Sequence, residues 1–197
     1  MIAPEPAVCL ASASPRRREL LRQIGVPHVA VSADIDESVH AGEAPHDYVQ
    51  RMARDKANAV WKRDPRLPVL AADTTVVLDG LTYGKPHDRD HALKMLTRLS
   101  GRTHEVLTAV ALANAAGTAL RMNVSSVKFR VLTAAECADY WGTGEPKDKA
   151  GAYAIQGVAA VFIESVTGSY SGVMGLPLHE TAQLLRSAGL PYWCRMN

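Results

Sequence analysis

Apolar positions along this chain recur with two spacings, short β-branched runs and longer stretches of helical period, and turn or cap residues stand at the joins. Ala7 to Ala11 reads as a short strand running into Ser14-Pro15, an N-cap followed by proline at the first helical position. The helix that follows carries Leu20, Leu21 and Ile24 on one face, and Gly25 is placed to end it in the left-handed conformation. A second strand is expected at Val29 to Ile35. After a polar loop comes a long helix from about Pro45 to Trp61, with Tyr48, Val49, Met52, Ala53 and Val60 facing inward. Val69 to Leu78 is rich in β-branched residues and meets Asp79-Gly80, a tight-turn signal, so a hairpin is predicted there. A helix capped by Asp88 and stopped at Gly101 carries Leu93, Leu96 and Leu99 and leads into a strand at Val106 to Leu112. Val127, Phe129 and Val131 alternate as in a strand, and Thr133 to Glu136 has the form of a capping box that opens a short helix towards Trp141. Val158 to Val166 is the last strand expected, and a helix begun at Pro177 with Leu178, Leu184 and Leu185 follows it. Hairpins supply antiparallel pairs and strand-helix-strand units supply crossovers. The prediction is therefore an α/β (mixed α+β) fold around a mixed sheet.

Composition narrows the picture. The 197 residues, 47% of them hydrophobic, suit a single domain over 1–197 with a proper core, and no repeat or linker-like stretch divides them. A formal net charge of +2 gives no global field to attract nucleic acid or membrane, and 6% aromatic content is sparse for base-stacking platforms. Cys9, Cys137 and Cys194 are odd in number and scattered, which suits a reducing compartment rather than a disulfide framework. The N-terminal stretch MIAPEPAVCLASASPRRR lacks a basic leader region, and no run approaches the ~20 apolar residues that span a bilayer, so a soluble, cytoplasmic protein is expected.

Several residues break the structural pattern. Ser12-Ala13-Ser14-Pro15-Arg16-Arg17-Arg18 lies at the carboxyl end of a strand and the first turn of a helix. Free N–H groups and the positive end of the helix dipole favour an anion there, although a solvated basic turn would carry the same residues. Lys56 falls on the apolar stripe Tyr48, Met52, Val60, where it either snorkels or has a partner. Asp73 interrupts Val69-Leu70-Ala71-Ala72 and Thr74-Thr75-Val76-Val77-Leu78, a setting that demands a metal, a cation or hydrogen bonds unless the strand ends or bulges there. Lys85 follows the hairpin in Gly84-Lys85-Pro86. The small-residue stretch Asp148 to Gly157 permits close backbone approach, and its Gln156 offers an amide able to read a base edge; Gly168 to Gly172 is a second such stretch, and both could equally be tight loops. No Walker A loop, G-x-G-x-x-G or H-E-x-x-H is present, and the i, i+4 pair His87 and His91 has no evident third ligand.

Taken in order, LASASPRRRELL, Asp36-Glu37, Ala53-Arg54-Asp55-Lys56-Ala57, Ala72-Asp73-Thr74, Gly84-Lys85-Pro86, LSGRTHEV, DKAGAYAIQG and SGVMGLPL resemble the Maf family of nucleoside triphosphate pyrophosphatases over nearly the whole chain. The DKAGAYAIQG block is similar to the branch acting on dTTP and UTP. The resemblance implies an inosine-triphosphatase-like fold, an elongated mixed sheet with helices around it and two lobes about a nucleotide cleft. It implies Asp73 as the catalytic acid/base, and Arg16, Thr74 and Gln156 as residues tied to substrate selection. Ser12, Ser14, Arg17, Lys56 and Lys85 match phosphate-side positions of the cleft. Glu37, with Asp73, is expected to help hold a divalent cation, Mg²⁺ or Mn²⁺. A homodimer is also implied. Two rival readings accompany it: a 7-methyl-GTP or broad-specificity pyrophosphatase, and a nucleotide-binding regulator of septum formation.

Overall fold

A four-residue run that is apolar throughout, Val8–Ala11 (β1), suits a strand covered on both faces, and in the computed structural model, which describes residues 5–193, all four residues are buried within a mixed sheet. The other strands are His28–Val31 (β2), Val69–Leu78 (β3), Leu81–Tyr83 (β4), Thr103–Asn114 (β5), Gly117–Phe129 (β6) and Ile163–Thr167 (β7). They run in the order β2-β1-β3-β5-β6-β7, with β4 paired to β3 off that path. β1 is parallel to β2 and β3, whereas β3 to β7 pair antiparallel, so the mixed sheet and its flanking helices are as expected.

Strand alternation decides what covers each face. Val69, Ala71 and Val77 of β3 pack under Pro45–Arg63 (α2). On the opposite face, Leu70 and Ala72 meet Pro15–Gln23 (α1) and Leu178–Ser187 (α6), and Val76 and Leu78 meet Arg89–Leu99 (α3) and Ala134–Gly142 (α4). That second face thus carries two separate apolar clusters, one at each end of β3.

The same strand is split along one edge. β5 pairs with β3 from Val69 to Val77, but on the other side β1 reaches only Val69 and Leu70, and β4 takes up the edge again at Val76. Residues 72–75 have no strand neighbour there, and a crevice opens beside them. The hairpin that brings β4 back turns at Asp79 and Gly80, both with positive φ (54° and 74°), the geometry that matches strand twist.

Some elements differ from expectation, each for a local reason. β2 ends at Val31 rather than Ile35, because the chain turns away through Asp34 at φ 47°. β6 starts ten residues before Val127; its first half alternates, with Leu120 and Met122 packed half-buried against the α2 face of the sheet, a period-2 stripe that the expected strand at Val127 to Val131 left out. Val131 lies past the strand and is 75% exposed. Val158–Phe162 is a 3-10 helix, and only Ile163–Thr167 is strand. Tyr170–Met174 (α5) forms in the Gly/Ser-rich stretch because Ser169 caps it by accepting from the Gly172 N–H. Cys9 and Cys137 are buried free thiols; Cys194 and the first four residues of the N-terminal stretch lie outside the described residues. Among those described, no helix is long and apolar enough to cross a membrane.

Candidate active site

The crevice beside β3 widens into a cleft of about 1240 Å³, and Ser12, Ser14, Arg16, Arg17, Glu37, Lys56, Asp73, Thr74, Lys85 and Gln156 all line it. Because the strand edge is open, side chains from both faces of β3 reach it: Asp73 and Thr75 from one, Thr74 and Val76 from the other.

At the β1–α1 junction, Ser14 occupies the N-cap position but its hydroxyl caps nothing, so that oxygen and the first-turn amides face the cleft without an internal partner. Ser12 Oγ accepts from the Ser14 N–H at 3.1 Å and from Arg17 Nη1 at 3.3 Å. Arg17 also donates through Nε to the Gly175 carbonyl at 2.7 Å and through Nη2 to Thr74 Oγ1 at 3.2 Å. Its guanidinium is thereby fixed at three points by neutral groups. Gly175 holds φ 113°, a backbone conformation that favours glycine. Burial pushes the Arg17 guanidinium below its ordinary range and Asp73 opposes the shift; burial acts likewise on Arg16, opposed by Asp148 and Glu145. Both arginines stay protonated. Among the described residues neither they nor Lys85 nor Arg98 enters an ion pair, so four cations line the cleft without a fixed counter-charge.

Asp73 sits in regular register opposite Ala109, neither at a strand end nor in a bulge. It is 6% exposed, on the face covered by α2, where Lys56, 8% exposed, meets it with Nζ 2.7 Å from Oδ1. The same ammonium lies 3.0 Å from Glu37 Oε1. Lys56 therefore has partners and does not snorkel. Burial pushes the Asp73 carboxyl above the usual carboxylate range; Lys56 and then Arg17 pull it back, and Glu37 adds to the rise. The result is a carboxylate more basic than one in water.

Glu37 comes from the loop between β2 and α2, which α2 holds in place. Tyr48 donates its hydroxyl to the Glu37 carbonyl at 3.0 Å, and Arg51 donates to the Ser38 carbonyl at 3.0 Å while gripping Glu43 at 2.6 and 2.7 Å. Tyr48 was expected to face the core; it turns to the cleft because this loop needs a donor. The far wall is Lys85 after β4 and the loop 148–157, tied to the hairpin where the Gly151 N–H donates to the Gly84 carbonyl at 3.1 Å. The rings of His87 and His91 stand 4.9 Å apart at that side of the cleft.

Chemically this is a polyanion receptor with one buried base. Six lysine and arginine residues line it against four carboxylates, and the cations are nearest the α1 turn and the β4 end. The sequence missed Tyr48, Arg98, Lys149 and the Gly175 carbonyl. Gly175 alone left a signal, in the small-residue run that precedes Pro177.

Comparison with known proteins adds three findings. The family model described as Maf-like protein matches residues 7–188. A Bordetella parapertussis protein named dTTP/UTP pyrophosphatase is 53% identical over 199 residues, covering 96% of each chain; one of the same name from Methylobacillus flagellatus is 54% identical over 185 residues, covering 93% of each. A solved structure, the Staphylococcus aureus Ham1 protein, aligns over 62% of this chain and 71% of its own with a TM-score of 0.45 and 15% identity, a likeness too slight to argue from.

Proposed function

Because this chain belongs to the Maf family, we propose that it is a nucleoside triphosphate pyrophosphatase that hydrolyses dTTP and UTP to the monophosphate and pyrophosphate. The observation that carries the reading is the buried pair Asp73–Lys56, 2.7 Å apart, set in a cleft that Arg16, Arg17 and Lys85 also line.

A triphosphate must have its negative charge relieved before a nucleophile can approach. The α1 turn does this with Ser12, Ser14 and the three-point-fixed Arg17, whose orientation costs no reorganisation when substrate arrives. Arg16 and Lys85 add charge from the rims. Asp73 then orients the attacking water and takes its proton, a task its burial-raised basicity favours. Lys56 keeps that carboxylate ionised and in place through the 2.7 Å contact. Glu37 and Asp73 each keep one oxygen off Lys56, and these two hard carboxylates would hold a divalent ion such as Mg²⁺ or Mn²⁺. Among the described residues no three His, Cys, Asp or Glu converge to cage an ion without substrate. Such an ion, when bound, supplies charge neutralisation on the phosphate oxygens.

For base choice, Gln156 and Thr74 contact the pyrimidine edge with Arg16 alongside, since polar groups that must be paired penalise a base lacking complements. The buried free thiols Cys9 and Cys137 support a reducing, cytoplasmic setting.

Hydrolysis of dTTP, UTP, CTP, GTP and 7-methyl-GTP by purified protein with Mg²⁺ or Mn²⁺ tests the assignment. The expected outcome is kcat/KM for dTTP and UTP about 10-fold or more above the others. Preference for 7-methyl-GTP overturns the base assignment, and binding without turnover of any nucleotide favours the septum-regulator reading.

A further inference from the structure

The wall that carries Gln156 hangs from a carboxylate that does not line the cleft. Glu145 lies in the short 3-10 helix Glu145–Asp148 after α4. Its Oε1 accepts from the Tyr140 hydroxyl at 2.6 Å and from the Ala159 N–H at 3.3 Å, and its Oε2 accepts from the Val158 N–H at 2.9 Å. The Tyr140 oxygen in turn accepts from the Ala154 N–H at 3.2 Å. One phenol and one carboxylate thus grip the backbone on both sides of Gln156.

The fit at the centre of that bracket is closer than any side chain allows. A Cβ on Gly157 would stand 2.0 Å from Glu145 Oε2, so the carboxylate is seated directly against the residue that follows Gln156. Tyr140 is 3% exposed and packs edge-on to Phe162, ring centroids 5.1 Å apart, which fixes the phenol independently of its hydrogen bonds. Burial raises the Glu145 carboxyl, but the donors from Tyr140, Val158 and Ala159 outweigh it and hold the group below the usual carboxylate range.

We propose that the Tyr140–Glu145 pair is a positioning element that sets Gln156 against the pyrimidine edge and so determines base selection. The proposal rests on the reading of Gln156 given above.

The test uses the full chain, with Tyr140→Phe, Glu145→Gln and Gln156→Ala assayed on dTTP, UTP, CTP and GTP. Tyr140→Phe removes one oxygen and keeps the ring. Glu145→Gln leaves one carbonyl oxygen to accept and turns an amide N–H against a backbone N–H. Each should lower kcat/KM for dTTP about 10-fold through KM, leave kcat within about 3-fold, and narrow the dTTP:CTP ratio, with Glu145→Gln the milder. Melting of each variant reads any structural loss separately. Lowered melting with an unchanged dTTP:CTP ratio overturns the proposal, because the pair then supports the fold alone. If Gln156→Ala narrows the ratio and the other two do not, only the positioning role falls. If Gln156→Ala leaves it intact, the reading of Gln156 falls and the proposal with it.

Discussion

At the scale of the residue, Asp73 is held between burial, which favours its protonated form, and Lys56, which favours the carboxylate. Removing the ammonium removes the restraint. In Lys56→Met the acid limb of the pH–rate profile should move to higher pH, and activity at neutral pH should fall at least ~10-fold; an unmoved limb would separate Lys56 from the proton-accepting group. These two residues were legible because each violated a pattern, a charge on an apolar stripe and a carboxylate in a β-branched run. Glu145 was not, since a glutamate in a polar turn looks like any solvated one, and only the approach of Gly157 reveals its place. His104 was illegible for the same reason. It is 2% exposed, bonds Tyr153 through Nε2 at 2.9 Å, has no partner for Nδ1 among the described residues, and burial pushes its pKa down to about 4. The unfolded chain therefore binds a proton between about pH 6.5 and 4 that the folded chain does not, so stability is full above that window and falls through it as pH drops, by roughly 3 kcal/mol. Urea unfolding at pH 7 and pH 4.5 should show this loss, and His104→Phe should reduce it.

At the scale of the element, the loop between β2 and α2 matters most, because it carries Glu37 yet has no regular structure of its own. Arg51 and Tyr48, one turn apart on α2, hold it by its carbonyls and by Glu43, whose carboxyl the Arg51 guanidinium keeps at about 2. The Arg51 and Glu43 side chains are largely covered, 20% and 9% exposed, so the pair both steadies the loop and aims Glu37. Arg51→Ala should raise the Mg²⁺ concentration for half-maximal activity by about 10-fold; an unchanged metal requirement in the folded variant would show that Glu37 needs no such support. The sequence told where helices α1, α2 and α3 begin, because proline and a capping aspartate mark those starts. The first half of β6 was passed over although Leu120, Met122 and Val124 alternate there, because that stripe is only half-covered; that Val158–Phe162 coils instead of extending could not be read, because the acceptor that gathers its amides lies thirteen residues earlier.

At the scale of the whole molecule, the cleft follows from an interruption in strand pairing. β1 and β4 share one edge of β3 without meeting, and the gap at residues 72–75 lets Asp73 from one face and Thr74 from the other border one cavity. The mixed sheet and the chemistry of single residues were readable from the chain, but the gap was not, because it depends on two strands ending short on a third. Cations from α1, α2 and the β4 end meet there only through that topology. The measurement that tests this account most directly is pyrophosphate release from dTTP by Asp73→Asn beside the unaltered protein, each shown to be folded and to bind nucleotide. The account predicts a rate lower by ~10²-fold or more, whereas near-normal release would contradict it.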